Sequence, residues 1–259
     1  MHRHFVATEI LEQPRITLDH ADSRHFLNVL RLKKGDEVQL FDGKGAEANC
    51  LIAEAVRGCV TLDREGDVVR HSPPPCRLVL GACVSKGKRM EWTIEKAVEL
   101  GVSVIIPIAS QFSVVRLEKD DHEDKRERWR RIAIDAARQC DTPFVPEILE
   151  PQTFGQAMDL VSGIDAVFAG ALQPDAVPMR DSIAALRTTD REIRSVAWLV
   201  GPEGDFSPGE YAEMRTRDIR FVSLGNLILR TETAAIYGLC VLGCEFLVQG
   251  IGIRGNLLT

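Results

Sequence analysis

At 259 residues the chain has room for one large domain or two modest ones, each able to bury its own core. Hydrophobic content of 45% and charged content of 27% are ordinary for a globular protein; no apolar run is long enough to span a bilayer and no apolar leader follows Met1-His2-Arg3-His4-Phe5, so a membrane or secreted protein is not expected and a cytoplasmic one is. A net charge of −6 excludes a protein that coats nucleic acid by bulk positive charge, so any RNA contact must come from local basic patches.

Residues 1 to about 70 read as β-rich. A short helix is predicted from Asp22 to Leu30, where Ala21, Phe26, Val29 and Leu30 recur at helical spacing. Glu37 to Phe41 alternates polar and apolar, Asp42-Gly43 marks a turn, and Ala48 to Ala55 and Val60 to Leu62 follow as strands, the pattern of a small barrel. Arg3, Arg24, His25, Arg31, Lys33 and Lys34 are the basic concentration here; each alone reads as a solvated charge, and together they read as a phosphate-binding patch. His71-Ser72-Pro73-Pro74-Pro75 closes this part, because three prolines continue neither a helix nor a central strand and make a stiff spacer. The expected boundaries are a domain over 1–71, a linker over 72–76 and a second domain over 77–259.

After the prolines, strand and helix alternate, which implies a mainly parallel sheet covered by helices. Arg77 to Val84 reads as a buried strand, Met90 to Leu100 as a helix with Met90, Ile94, Ala97 and Val98 inward, and Val102 to Ile108 as the next strand. Gly81-Ala82-Cys83-Val84-Ser85-Lys86-Gly87-Lys88-Arg89 is a near miss for a P-loop. Its glycine spacing is one residue too long, and Arg89 stands where a magnesium-binding Ser or Thr would be needed. Lys86, Lys88 and Arg89 are read instead as RNA phosphate contacts. The run from Glu118 to Arg138 carries both signs of charge and reads from Arg126 as a helix with Trp129, Ile132, Ala133 and Ala136 inward. A helix from Phe154 to Val161 and a strand from Asp165 to Gly170 follow.

The stretch from 196 to 238 is the most informative. Val196 to Val200 meets Gly201-Pro202-Glu203-Gly204-Asp205, and then Ser207, Pro208 and Glu210 supply the cap, first helical residue and capping-box partner of a new helix. Arg220 to Gly225 is a second apolar run, leading into Asn226-Leu227-Ile228-Leu229-Arg230-Thr231-Glu232-Thr233-Ala234-Ala235. Twice a strand ends in glycine and a charged bend before a helix, which is where ligands bind in open α/β sheets. Ala234, Ala235, Gly238 and Gly243 punctuate the last helix and predict close backbone packing, either within the subunit or between two copies. Seven cysteines, with no Cys-x-x-Cys pair, point to reduced thiols. Cys240 and Cys244 share one helical face and are expected to be buried packing; the six histidines are scattered, so no metal site is expected.

Gly201-Pro202-Glu203-Gly204, with Leu224-Gly225 and Leu229-Arg230-Thr231-Glu232-Thr233-Ala234 about twenty residues on, resembles the signatures of the ribosomal RNA small subunit methyltransferase E family. These are trefoil-knotted RNA methyltransferases of the SPOUT class that use S-adenosylmethionine. Residues 25–36 resemble the family's PUA-like RNA-binding domain, and 81–102 resemble its catalytic domain. The resemblance implies a small N-terminal PUA-like β-barrel followed by a SPOUT α/β domain with a mainly parallel sheet and a C-terminal trefoil knot. It implies methylation of N3 of a uridine in small-subunit ribosomal RNA, free or in the assembled small ribosomal subunit, by a homodimer that needs no metal and no membrane. The cofactor residues it implies are Leu172, Gly201, Pro202, Glu203, Gly204, Leu224, Gly225, Asn226, Leu227, Leu229 and Arg230. In the chemistry Arg230 would favour the uracil anion, and Glu203 or Glu232 would accept the imide proton. Three positions depart from the family pattern: Arg138 in place of Glu, Asp205 in place of glycine, and Leu227 in place of arginine. A related knotted enzyme that methylates a ribose hydroxyl, or a non-catalytic RNA-binding assembly factor of the same fold, are the readings left open.

Overall fold

The computed structural model describes residues 1–56, 58–113, 122–188 and 191–248; the start of the charged run, 118–121, lies outside them. The chain divides between Pro73 and Pro74, inside the triple proline: one compact unit is Met1–Pro73 with Ile134–Val145, the other Pro74–Ala133 with Pro146–Thr259. Residues 134–145, read from sequence as part of the second domain, count with the first unit.

The first unit holds β1 (His2–Phe5), α1 (Thr8–Leu11), β2 (Arg15–Thr17), α2 (His20–Arg24), β3 (Glu37–Phe41), β4 (Ala46–Val56) and β5 (Cys59–Arg70). Its five strands form one sheet in the order β1-β3-β4-β5-β2, antiparallel except for β1 beside β3. The alternation read in β3 is the reason it pairs: Val38 and Leu40 are fully buried in a core with Phe26, Ile52, Val60 and Leu62. The Asp42-Gly43 turn is made by the Asp42 carboxylate, whose Oδ1 accepts from the Lys44 and Ala46 N–H groups at 2.8 and 3.0 Å, while Gly43 takes a φ of +74°. The helix expected from Asp22 instead starts at His20, capped by Asp19 accepting from Asp22 N–H, and widens to a π-helical turn over His25–Val29.

Arg3 requires a correction. It sits on β1, a strand the sequence reading missed, and its guanidinium is buried rather than offered to phosphate. Nη2 donates to Glu47 at 3.0 Å, Nη1 donates to the Ala137 and Thr142 carbonyls, Nε lies 3.1 Å from Asp141 Oδ1, and the group stacks over Phe41 at 4.6 Å. A cation so paired is part of the fold, not of a surface.

The second unit contains β6 (Arg77–Cys83), α3 (Arg89–Glu99), β7 (Val104–Ala109), the start of α4 (His122–Gln139), β8 (Glu147–Ile148), β9 (Gln152–Thr153), α5 (Phe154–Val161), β10 (Ala166–Gly170), β11 (Val177–Pro178), α6 (Met179–Arg187), β12 (Ser195–Val200), α7 (Pro208–Thr216), β13 (Arg220–Ser223) and α8 (Thr231–Phe246). The strands run in the order β11-β13-β10-β12-β6-β7-β8, with β9 also on β7, and every pairing is parallel. Their apolar runs, such as Val196 to Leu199, are fully buried because helices cover a parallel sheet on both faces. Among the described residues no helix is long and apolar enough to cross a membrane.

On α8 the buried residues Ala235, Gly238, Leu239, Leu242 and Phe246 form the inward stripe. Gly238 lies against Trp198 so closely that a Cβ there would come 2.2 Å from the indole Cε2. The close packing expected of this helix is thus met inside one subunit at Gly238. Cys240 and Cys244 are exposed, against the expectation of burial, because the inward stripe is the opposite face.

Candidate functional site

β13, β10 and β12 are neighbours in the sheet and all parallel, so their C-terminal ends emerge side by side. At those ends lies a cleft of about 320 Å³, floored by Gly170, Val200 and Val222 and walled by the 201–205 bend, the 223–230 bend and the start of α8. Its size falls at the low end of small-molecule sites, which span roughly 300–1,000 Å³.

Each wall has a local cause. The first bend turns into α7 through the predicted capping box: Ser207 Oγ accepts from Glu210 N–H at 3.3 Å and Glu210 accepts from Ser207 N–H at 2.7 Å. Glu210 also accepts from Gln111 N–H at 2.9 Å, which ties residues 110–113 to the bend. Asp205 has a φ of +63°, the left-handed region that glycine adopts at least cost. Its carboxylate offsets the strain by accepting from Tyr211 Oη at 2.7 Å and from Phe206 N–H at 2.8 Å. Burial and that bond to Asp205 together push the Tyr211 phenol above its ordinary range. In the second bend Gly225 has a φ of +127°, with open space where a side chain would be.

Of the residues expected at the cofactor, Leu172, Gly201, Pro202, Glu203, Leu224, Gly225, Leu227, Leu229 and Arg230 line the cleft. Gly204 and Asn226 do not: Gly204 backs onto Phe112, whose Cβ would lie 3.3 Å from a side chain there, and Asn226 is exposed outside the cleft. Ile228, Ser223, Thr231, Ala234 and Asp205 line it too. Ile228 is legible in the sequence as apolar material for the slot; for the other four the only sequence signal is adjacency to the two bends. Leu172, Leu227 and Ile228 are 63%, 79% and 81% exposed, so the cleft has an uncovered apolar lip.

The charged groups at the mouth are arranged differently from the expectation. Arg230 is the N-cap of α8, exposed, and pairs with no carboxylate among the described residues. A cation at a helix N-terminus opposes the helix dipole, so stability does not ask for it there. Arg89, read from sequence as an RNA contact, is exposed and is the partner of both acids. Its Nη1 donates to Glu203 Oε1 at 3.0 Å, and its Nε lies 3.9 Å from Glu232 Oε1. Glu232 is not on the cleft wall; its Oε2 is buried and makes no hydrogen bond, an acceptor left open beside the cluster. Lys86 and Lys88 are exposed nearby in the chain. In the first unit Arg24, Arg31, Lys33 and Lys34 are exposed and His25 is half-buried.

Comparison with known proteins gives these features a context. A family model described as an RNA methyltransferase domain matches residues 72–243, and one described as an RNA methyltransferase PUA domain matches 18–58. The chain is 27% identical over 251 residues to the ribosomal RNA small subunit methyltransferase E of Bacillus subtilis, covering 95% of this chain and 97% of that one. In structure it resembles a ribosomal RNA small subunit methyltransferase E from Neisseria gonorrhoeae bound to S-adenosyl methionine, with a TM-score of 0.83, 26% identity and coverage of 95% and 98%. A putative methyltransferase from Legionella pneumophila, also in complex with that cofactor, aligns with a TM-score of 0.81, 28% identity and coverage of 94% and 97%.

Proposed function

Because the chain belongs to the RNA methyltransferase family of the ribosomal RNA small subunit methyltransferase E type, we propose that it methylates N3 of a uridine in small-subunit ribosomal RNA, with S-adenosylmethionine as donor. The observation that carries this reading is that both glycine-marked bends wall a single cleft at the ends of three adjacent strands. The residues present fit the donor. Leu172, Leu224, Leu227 and Leu229 supply an apolar slot for an adenine, and Gly225, with open space where a Cβ would stand, lets a ring edge approach the backbone; at Gly201 a Cβ would come 3.2 Å from the Phe206 ring. When bound, that cofactor supplies an electrophilic methyl group on a sulfonium.

The chain's own residues prepare the acceptor. Arg230, uncompensated at the cleft wall, favours the uracil anion that forms when the imide loses its proton. Glu203, which lines the cleft and is paired with Arg89 at 3.0 Å, and Glu232, whose Oε2 is buried and makes no hydrogen bond, are the two candidate proton acceptors. The bends hold donor and acceptor in line and exclude water from the methyl group.

The exposed Arg24, Arg31, Lys33 and Lys34, with the half-buried His25, are proposed to meet RNA phosphates from the first unit, which is proposed to close as a PUA-like barrel. The trefoil knot, an acceptor presented by the assembled small subunit, and a cytoplasmic site of action belong to the same proposal. So does a homodimer, supported by exposed Tyr237, Cys240 and Cys244 along the outer face of α8. The test is to methylate small-subunit RNA with labelled cofactor and identify the product nucleoside. 3-Methyluridine is expected; a methyl group on a ribose 2′-oxygen would refute the acceptor, and no transfer with no cofactor binding would leave an RNA-binding module.

A further inference from the structure

Beside the methyl-donor cleft the second unit has another hollow, of about 590 Å³, whose lining includes Val84 to Lys88, Met90, Glu91, Lys125, Arg128 and Trp129. We propose that it holds the sugar–phosphate backbone of the RNA strand that carries the acceptor base, with Lys125 and Arg128 completing a phosphate site begun by Lys86 and Lys88. This rests on the RNA methyltransferase reading above and assigns that substrate a path.

Charge is the first argument. Among the described residues four cations line the hollow against one acid, Glu91, which is tied to Arg128 at 2.5 Å. On a chain of net charge −6, such a concentration of one sign is costly unless it meets a polyanion. Lys86 and Lys88 are exposed and have no ion pair among the described residues. A hollow near the opposite ends of the strands makes the contrast: its Arg191 and Arg217 are already neutralised by Asp165 and Asp159, each at 2.8 Å.

Shape and connection are the second argument. Val84, Met90 and Trp129 are 3%, 2% and 4% exposed, so the floor is packed and apolar, and the positive groups stand around its rim. A floor of that kind suits sugar faces between phosphates rather than a lone small anion, which would need a closed cage of donors. The loop that lines the hollow, Ser85 to Lys88, runs directly into Arg89, and Arg89 reaches Glu203 on the cleft wall at 3.0 Å. A strand with its phosphates in the hollow therefore brings a neighbouring nucleotide to the Arg89–Glu203–Glu232 cluster.

The test is binding of a uridine-containing single-stranded RNA to the whole chain across a salt series, by fluorescence anisotropy. Lys125→Ala and the double variant Lys86→Ala/Lys88→Ala are compared with the unaltered chain, with S-adenosylmethionine titrated in parallel. Each lost phosphate contact should lower the slope of log K against log salt by about 0.7, the single-strand value. KM for RNA should rise with kcat and cofactor affinity unchanged, and Lys125→Arg should restore the slope. An unchanged slope and KM, or a loss that Lys125→Arg does not restore, would overturn the assignment. If the slopes fall as expected while the unaltered chain transfers no methyl group, the hollow stands and the proposed reaction fails; methyl transfer with unaltered slopes is the reverse.

Discussion

Gly238→Ala sets two physical effects against each other on the helix that completes the cleft. In an isolated helix alanine is better than glycine by about 1 kcal/mol, so propensity alone makes the variant more stable. In this fold the new methyl group would lie 2.2 Å from Trp198 Cε2 and 2.5 Å from Nε1. Trp198 is fully buried with its ring tip packed beside Gly170, so close that a Cβ there would lie 3.0 Å from Cη2, which leaves the indole little room to retreat. Overpacking of this kind costs about 1–3 kcal/mol. The Trp198 Nε1–H bond to the Ala234 carbonyl, 3.2 Å long, is disturbed with it, at about 0.5–1.5 kcal/mol. Packing wins, and the variant should lose roughly 0.5 to 3.5 kcal/mol, or several degrees in Tm at about 2–4 °C per kcal/mol. Urea unfolding monitored by tryptophan fluorescence reads this directly. Because Thr231 and Ala234 on the same helix line the cleft, cofactor affinity should fall as well. A variant as stable as the parent, or more so, would show that α8 does not press on Trp198 as described.

Other perturbations probe separate parts of the account. Arg230→Ala should leave cofactor binding intact in calorimetry while turnover falls at least about tenfold, or about 1.4 kcal/mol; full activity would remove Arg230 from the mechanism. Tyr211→Phe removes the donor that steadies Asp205 in its left-handed conformation, and should cost about 0.5–1.5 kcal/mol in denaturant unfolding; an unchanged midpoint would mean that bond carries no weight. Burial outweighs the attraction of Asp22 and lowers the buried His4 below its ordinary 6.5. The unfolded chain then takes up a proton that the fold resists, so this contribution is whole above 6.5 and is lost as pH falls through 6.5 toward the lower folded value. Denaturation of His4→Gln at about pH 7.5 and about pH 5.5 should show a flatter dependence than the parent; equal dependence in both would exclude His4 as a source.

Much of the second unit was legible because its signals are local. The Ser207-Pro208-Glu210 capping box, the all-apolar parallel strands and the two glycine bends each lie within a few residues of chain, and α5 runs over Phe154–Val161 as the periodicity has it. What was missed depends on partners far away in sequence. Nothing near Arg3 announces that Glu47 and Asp141 will take its charge. Arg89 and Glu203 are 114 positions apart, so a residue read as a surface cation proves to be the bridge between two acids. Cys240 and Cys244 were placed inward on spacing alone, but an amphipathic pattern does not say which of two small-residue faces meets the sheet, and Trp198 against Gly238 decides it. Edge strands such as β1 and β11 are too short to carry a period.

The central claim is that residues 201–205 and 223–230 close over one methyl donor. A crystal structure of the chain soaked with S-adenosylmethionine tests it most directly. Density for the donor is expected between Leu172, Gly201 and Leu224 to Arg230, with its methyl group facing Arg230; density at any other place in the molecule would contradict the claim.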